Sequence, residues 1–368
     1  MIYTYAYLNH DIEGFHKELC SFFEKLFLHD IGDYDETILC NPEFVECINS
    51  SSVRIKNKLE EITKVYHSLT PGQKRKMQDV FSINTTDIER MCQDTTLKPV
   101  KFDKLIIKQE LRTLIKEFQV SLWENYPLND TIKAKYKVVQ NHFNEFIQLE
   151  GNKGRICPFC GLYPLSPPTN KPEDKNRDAY DHIAAESLYP FVSVNFRNLA
   201  PICTKCNSDE KRREDIFYRK KGNSEVRREV LYPYDRTYES EKLSITINPK
   251  ELYDSEKYST LLSFTDWDIM IKYAKKEEDF LRTWDEVYHI KDRYQRYLKQ
   301  YESTWFEILK KKYSREMKKG SSFDKFRDEA IEESKDEILI TPLGILRYVY
   351  YNYLLSLDSL KDYLESND

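Results

Sequence analysis

Two cysteine pairs of matched spacing constrain this 368-residue chain more than any other feature. They are Cys157-Pro-Phe-Cys160 and Cys203-Thr-Lys-Cys206, with 42 residues between them. Each pair is a knuckle that presents two thiolates to one ion, and two knuckles complete a closed tetrahedral zinc site. A redox centre needs a single CxxC in a βαβ frame, and no such frame is visible. A structural zinc is therefore expected on Cys157, Cys160, Cys203 and Cys206. Cys20, Cys40, Cys47 and Cys92 are scattered, and eight cysteines in so long a chain do not make a disulfide scaffold. These four are expected to be buried free thiols.

The chain changes character around the knuckles. Residues 1–150 carry helical stripes: Ile12, Phe15, Leu19, Phe22, Phe23 and Leu26, then Ile107, Leu111, Leu114, Ile115, Phe118 and Leu122. Thr70-Pro71 is a helix cap followed by a first-turn proline. Residues 151–235 gather Pro and Cys, and Ser166-Pro167-Pro168-Thr169-Asn170 reads as a loop. Residues 236–368 open with an alternating strand pattern, Leu243-Ser-Ile245-Thr-Ile247. From about Trp267 the chain is expected to return to helix. Val287, Ile290, Tyr294, Tyr297, Tyr301, Trp305 and Ile308 then mark one long amphipathic helix, a bundle member or a coiled-coil arm. Ser321 to Lys335 reads as a polar helix–loop, and Thr341-Pro342 as the start of a final helix. The expected fold is α+β and predominantly helical. A helical N-terminal domain (1–150) precedes a small zinc-bound module (151–235), and a short β segment then leads into a helical C-terminal domain (236–368).

Composition excludes several classes. Hydrophobic residues at 40% and charged residues at 32% exclude a disordered tail and a fibre. Nine glycines leave no Gly-rich loop to cradle a nucleotide. The apolar stretch Tyr348 to Leu357, flanked by Arg347 and Asp358, is too short to cross a bilayer. The first ten residues lack a basic segment and an apolar core, so a cytoplasmic protein with no membrane partner is expected. The net charge of −5 excludes a basic nucleic-acid coat, yet residues 151–235 alone are positive, at +3. Within them nine cations fall in 24 residues with five acids interspersed. Lys205, Lys211, Arg212 and Arg213 lie nearest the second knuckle and are candidates for phosphate-backbone contact; the acids leave a solvated mixed-charge face as the other reading. The first 50 residues hold ten acids and two lysines, a solvated face or a dock for a basic partner.

What lies between and beside the knuckles bears on function. If zinc joins them, Asp181, His182 and Asn207 come within reach of one another. A neutral histidine can take a proton from an attacking water. Carboxylate and carboxamide oxygens are hard ligands for magnesium or manganese, which would stabilise charge on a phosphate and on its leaving 3′-oxygen. The run Arg177-Asp-Ala-Tyr-Asp181-His182, Tyr189-Pro-Phe191, Ser193-Val-Asn-Phe-Arg-Asn198-Leu-Ala-Pro201 and Cys203-Thr-Lys-Cys206-Asn207 resembles the HNH (ββα-metal) endonucleases with a zinc-knuckle frame. It is similar to the Septu-type effectors of bacterial antiphage defence. The resemblance implies a ββα-metal module between two helical regions, acting as a nuclease on DNA, with RNA left open. It implies His182 as general base, Asp181 and Asn207 as ligands of a catalytic magnesium or manganese ion, and Asn198 as a brace for the loop and the histidine. It also implies an ABC- or SMC-like ATPase as partner, with a homo-oligomer as a further expectation. One departure stands out: relatives tend to carry Pro and Lys after the Asp-His pair, where this chain has Ala184, Ala185 and Glu186.

Rival chemistries fit less well. A zinc deaminase needs H-x-E and P-C-x-x-C, but His182 and Glu186 are four apart and Ile202 separates Pro201 from Cys203. A zincin needs a second histidine one turn away around a glutamate. The other reading is non-enzymatic: a zinc-stapled nucleic-acid-binding or scaffold module with a degenerate site, for which Glu186 is the best support. His10, His16, His29, His67, His142 and His289 lack comparable company and receive no role.

Overall fold

The computed structural model describes residues 1–50, 55–125, 130–137, 139–152, 156–166, 180–212, 214–249 and 266–366. Arg213, residues 167–170 of the proline-rich loop and residues 177–179 of the motif lie outside them. Helices dominate. In chain order they begin with α1 (Ile12–Phe27), α2 (Glu36–Leu39), α3 (Pro42–Ser50), α4 (Ile55–His67), α5 (Pro71–Asn84) and α6 (Ile88–Gln93). After them come α7 (Gln109–Asn125), α8 (Asp130–Tyr136) and α9 (Val139–Phe146). Strands β1 (Tyr180–His182) and β2 (Leu199–Pro201) form an antiparallel pair, followed by a π-helical turn over Lys205–Lys211. Two further antiparallel pairs are β3 (Tyr218–Lys221) with β4 (Ser224–Arg227) and β5 (Leu243–Pro249) with β6 (Trp267–Tyr273). The chain ends in α10 (Asp279–Tyr288), α11 (Ile290–Lys318), α12 (Phe323–Asp336), α13 (Gly344–Leu354) and α14 (Asp358–Ser366). No described helix is long and apolar enough to cross a membrane.

Local chemistry explains the helices that the sequence marks. The α1 stripe Ile12, Phe15, Leu19, Phe22, Phe23 and Leu26 is buried along its whole length. Thr70 caps α5 by accepting from Gln73 N–H, while the Gln73 side chain accepts from Thr70 N–H; Pro71 occupies the first turn. In α7, Leu111, Leu114, Ile115, Phe118 and Leu122 are buried as expected.

Three expectations about the last third of the chain need correction. Trp267 does not return the chain to helix. Trp267, Ile269 and Ile271 are buried alternately, and β6 pairs with β5 in register from Leu243–Tyr273 to Pro249–Trp267. The long amphipathic helix is two helices broken at His289, which has a left-handed φ of 50°. Ile308, placed on the buried stripe, is 49% exposed. Ser321 to Lys335 is almost entirely helix, capped by Ser322 accepting from Lys325 N–H.

Buried side chains form two cores, and the central segment joins them. One core gathers α1, α3, α4, α5 and α7 with Tyr180, Phe191, Val194, Phe196 and Leu199. The other gathers the four knuckle cysteines, β6 and α10 through α14, and it takes in Met1, Ile2, Tyr3 and Tyr5 from the start of the chain. Strand alternation divides the β2 side chains: Leu199 faces the first core and Ala200 the second. Phe191 anchors the connecting loop, its ring packed edge-on to Phe23, Phe81 and Phe102. The β1–β2 pair thus stands at the seam between the cores.

His142 of α9 is buried beneath this seam. Its Nε2–H donates to Leu8 O at 3.0 Å, and its Nδ1 accepts from Tyr180 Oη–H at 2.5 Å. Burial lowers its pKa to about 4, with the Leu8 carbonyl opposing and His10 adding to the shift. The unfolded chain takes up this proton below about pH 6.5 while the folded one refuses it. His142 therefore withdraws stability as the pH falls from about 6.5 toward 4, and none above that window. Substituting His142→Gln should destabilise the fold by about 1–3 kcal/mol at pH 7 and by distinctly less at pH 4.5, measured by urea unfolding at both.

Candidate metal centre and hydrolytic site

The first knuckle is a tight turn. Cys160 and Gly161 N–H groups both donate to Cys157 O, at 3.3 and 2.8 Å. Gly161 sits at φ 69°, where a Cβ would press on Ile2 and Ile345, so glycine alone fits there without strain. The four cysteine sulfurs are buried and all lie within 4.8 Å of one another. Cys160 and Cys203 are 3.9 Å apart, close to the ~3.8 Å that zinc–sulfur bonds of about 2.3 Å give at tetrahedral angles. Backbone N–H groups of Leu162 and Cys203 point at Cys160 Sγ and Cys157 Sγ, at 3.4 and 3.5 Å. This cluster could hold a zinc ion, and with no open position its role would be structural.

A residue with no sequence motif completes the centre. Arg293 of α11 is 1% exposed and donates from Nη1 to Cys206 Sγ at 3.2 Å. Burial opposes its charge, but Cys206 and Cys160 outweigh it and hold the guanidinium protonated above its ordinary range. Four thiolates around a divalent ion carry a net charge of −2, and an interior of low dielectric demands a counter-cation. Arg293 supplies one, with Glu210 Oε1 at 3.7 Å from its Nε.

The second set of polar groups lies along the β1–β2 pair. Asp181, His182 and Asn198 are 6%, 9% and 0% exposed. Asn198 accepts from Ala184 N–H at 2.7 Å and donates to Ala184 O and Val192 O, both at 3.0 Å. One carboxamide so ties the end of β1 to the loop before β2. His182 Nε2–H donates to Ser193 O at 2.7 Å, because a carbonyl can only accept. Its Nδ1 therefore keeps the lone pair. Burial lowers the His182 pKa to about 4, the Ser193 carbonyl opposes and Lys211 reinforces the shift, so the ring is neutral at pH 7. The loop is held from α7: Ser193 Oγ donates to Gln119 O at 3.1 Å, and the Trp123 ring packs edge-on to His182 at 5.3 Å. Glu186 Oε2 lies 3.6 Å from His182 Nε2.

The candidate phosphate-binding cations mostly have other duties. Lys211 is 2% exposed, so it is no surface contact; its Nζ lies 2.8 Å from both Asp181 oxygens and 2.6 Å from His182 O. Burial raises the Asp181 pKa while Lys211 works to lower it. Lys205 pairs with Asp209 at 2.6 Å, and Arg212, exposed, donates to Asp209 O. Further along, Arg219 pairs with Asp279 and Glu286, and Arg228 with Glu214 and Glu286. Acids from outside the run, Asp181 of β1 and Asp279 and Glu286 of α10, supply most of these partners, and of the interspersed acids Glu214 pairs with Arg228. Asn207 is half-buried on the π-helical turn, its N–H on Cys203 O and its carbonyl accepting from Arg212 N–H. Among the described residues no hydrogen bond joins Asn207 to Asp181.

The structure thus brings Asp181, His182 and Asn198 together and adds Lys211 and Ser193, which the sequence did not single out for those places. No protein-family model, curated protein or solved structure matches the chain. The cluster has a direct consequence. The purified protein should carry a zinc ion that only a strong chelator removes, with loss of the C-terminal core signal by circular dichroism. Arg293→Met should weaken zinc affinity by about 10- to 100-fold in competition with a chromophoric chelator, and Arg293→Lys should recover part of it.

Proposed function

We propose that the chain is an HNH-type endonuclease that hydrolyses phosphodiester bonds, with DNA as the first candidate substrate. One observation carries the reading: a neutral histidine at the end of a two-stranded ribbon, its Nε2 fixed on Ser193 O and its Nδ1 left as an acceptor. A base so placed takes a proton from water without first losing its own. Asn198 fixes the loop that carries the Ser193 carbonyl and so sets the ring's tautomer and aim. The order of elements, two antiparallel strands between the cysteine knuckles and then a helical turn that starts within the second knuckle, supports the same reading.

A magnesium or manganese ion would be held by Asp181, with Asn207 as a second oxygen donor. The donor chemistry fits, since a carboxylate and a carboxamide oxygen are the hard ligands such ions take, although Lys211 is now the cation on Asp181. When bound, such an ion supplies charge stabilisation at the phosphate. His182 meanwhile holds the water's proton, and α7, through Gln119 and Trp123, keeps the ring in place. The acting set lies in the positive central segment of the chain.

The Asp181–Lys211 pair also favours a second reading, a zinc-stapled nucleic-acid-binding or scaffold module whose hydrolytic site has closed for good. Plasmid cleavage separates the two. Wild-type protein with magnesium or manganese should nick supercoiled DNA, and chelation should stop it. His182→Ala should lower the rate by about 10²- to 10⁴-fold with zinc content and melting temperature near wild type. Undiminished cleavage by that variant would remove His182 from the reaction, and no cleavage by wild type with either ion favours the module.

A further inference from the structure

We propose that Lys211 is the resident counter-cation of the Asp181 position and competes there with a divalent ion, holding the site shut until the ammonium withdraws. The inference rests on the nuclease reading and adds its regulation. The geometry is specific. Lys211 Nζ lies 2.8 Å from each Asp181 oxygen and 2.6 Å from His182 O, so it bridges both oxygens of the Asp181 carboxylate. All four polar side chains, Asp181, His182, Asn198 and Lys211, are under 10% exposed. A divalent ion on Asp181 would meet the ammonium within a few ångströms, in a medium that screens little. Two cations on one buried carboxylate repel strongly there, so one must leave.

The backbone provides a way out. Lys211 is the last residue of a π-helical turn, in which Arg212 N–H donates to Asn207 O at 3.0 Å, five residues back. Wide turns of this kind are rare and cluster at functional sites. Arg212 follows at φ 50°, ψ −118°, a backbone that an arginine adopts only when its surroundings impose it. Relaxing the turn to ordinary α-helical spacing would rotate Lys211 away from Asp181. It would also re-aim Asn207, the other proposed oxygen donor, which shares the turn. Withdrawal of the plug and completion of the ligand set would then be one motion.

The test uses the zinc-loaded full-length protein and manganese alone. Manganese binding is followed by electron paramagnetic resonance. Solvent access to Lys211 is followed in the same titration by amine acylation and mass spectrometry. Lys211 should resist acylation without manganese and become labelled as manganese saturates. Lys211→Met should bind manganese about tenfold or more tightly, the ammonium's repulsion being gone. Because that variant leaves Asp181 buried without its partner, Asp181→Asn/Lys211→Met serves as the fold-safe companion; it should melt near wild type and bind no manganese. Saturation with Lys211 still protected, or unchanged affinity in Lys211→Met, overturns the inference and leaves the nuclease reading standing. Absence of manganese binding from both wild type and Lys211→Met overturns the inference and the metal-dependent reading together.

Discussion

The four buried cysteine thiols are the point on which distant parts of the chain converge. Ile2 N–H donates to Pro158 O and Tyr3 Oη–H to Ile156 O, so the first residues lie along the first knuckle. Trp284 Nε1–H donates to Phe159 O, Tyr294 Oη–H to Cys160 O, and Arg293 to Cys206 Sγ. Leu343 N–H donates to Leu162 O just beyond it. A cluster without an ion would leave four thiols, several aimed donors and a buried guanidinium with no common anion to serve. A bound zinc ion would make one electrostatic centre of them, with the second core packed around it.

The proposed hydrolytic site depends on that centre indirectly. The second knuckle fixes Cys203 and Cys206, and the π-helical turn that carries Asn207 and Lys211 starts between them. The β1–β2 pair, braced by Asn198, brings His182 and Asp181 up to that turn. From the other core, α7 closes over the histidine. The site lies where the two cores and the cysteine knuckles meet, which explains how so many polar groups are buried together at tolerable cost. Each has a partner: Ser193 O for His182, Ala184 and Val192 for Asn198, Lys211 for Asp181.

Much of this was legible in the residues. Helical stripes such as that of α1 reported their own burial, because burial of one face is what selects them. The matched knuckle spacing predicted a cluster that could hold zinc. Other features were hidden for physical reasons. Trp267-Asp-Ile269-Met-Ile271-Lys-Tyr273 alternates, but it runs into the helical stripe that follows and reads with it as helix, and its partner β5 settles the matter only in three dimensions. The break at His289 leaves no glycine or proline behind, since an αL histidine carries it. Met1 to Tyr5 contribute to the core opposite the helices that follow them, a choice made by long-range hydrogen bonds. Lys211 reads as one cation in a basic run; only the fold turns it inward onto Asp181. Arg293 has no motif at all.

In the proposed reaction, water activated by His182 attacks a phosphodiester. Product analysis after cleavage in ¹⁸O-labelled water tests this most directly. Heavy oxygen should appear on a 5′-phosphate, with a free 3′-hydroxyl on the other strand end. A cyclic phosphate, an unlabelled phosphate, or the same products at the same rate from a chain lacking the imidazole would contradict it.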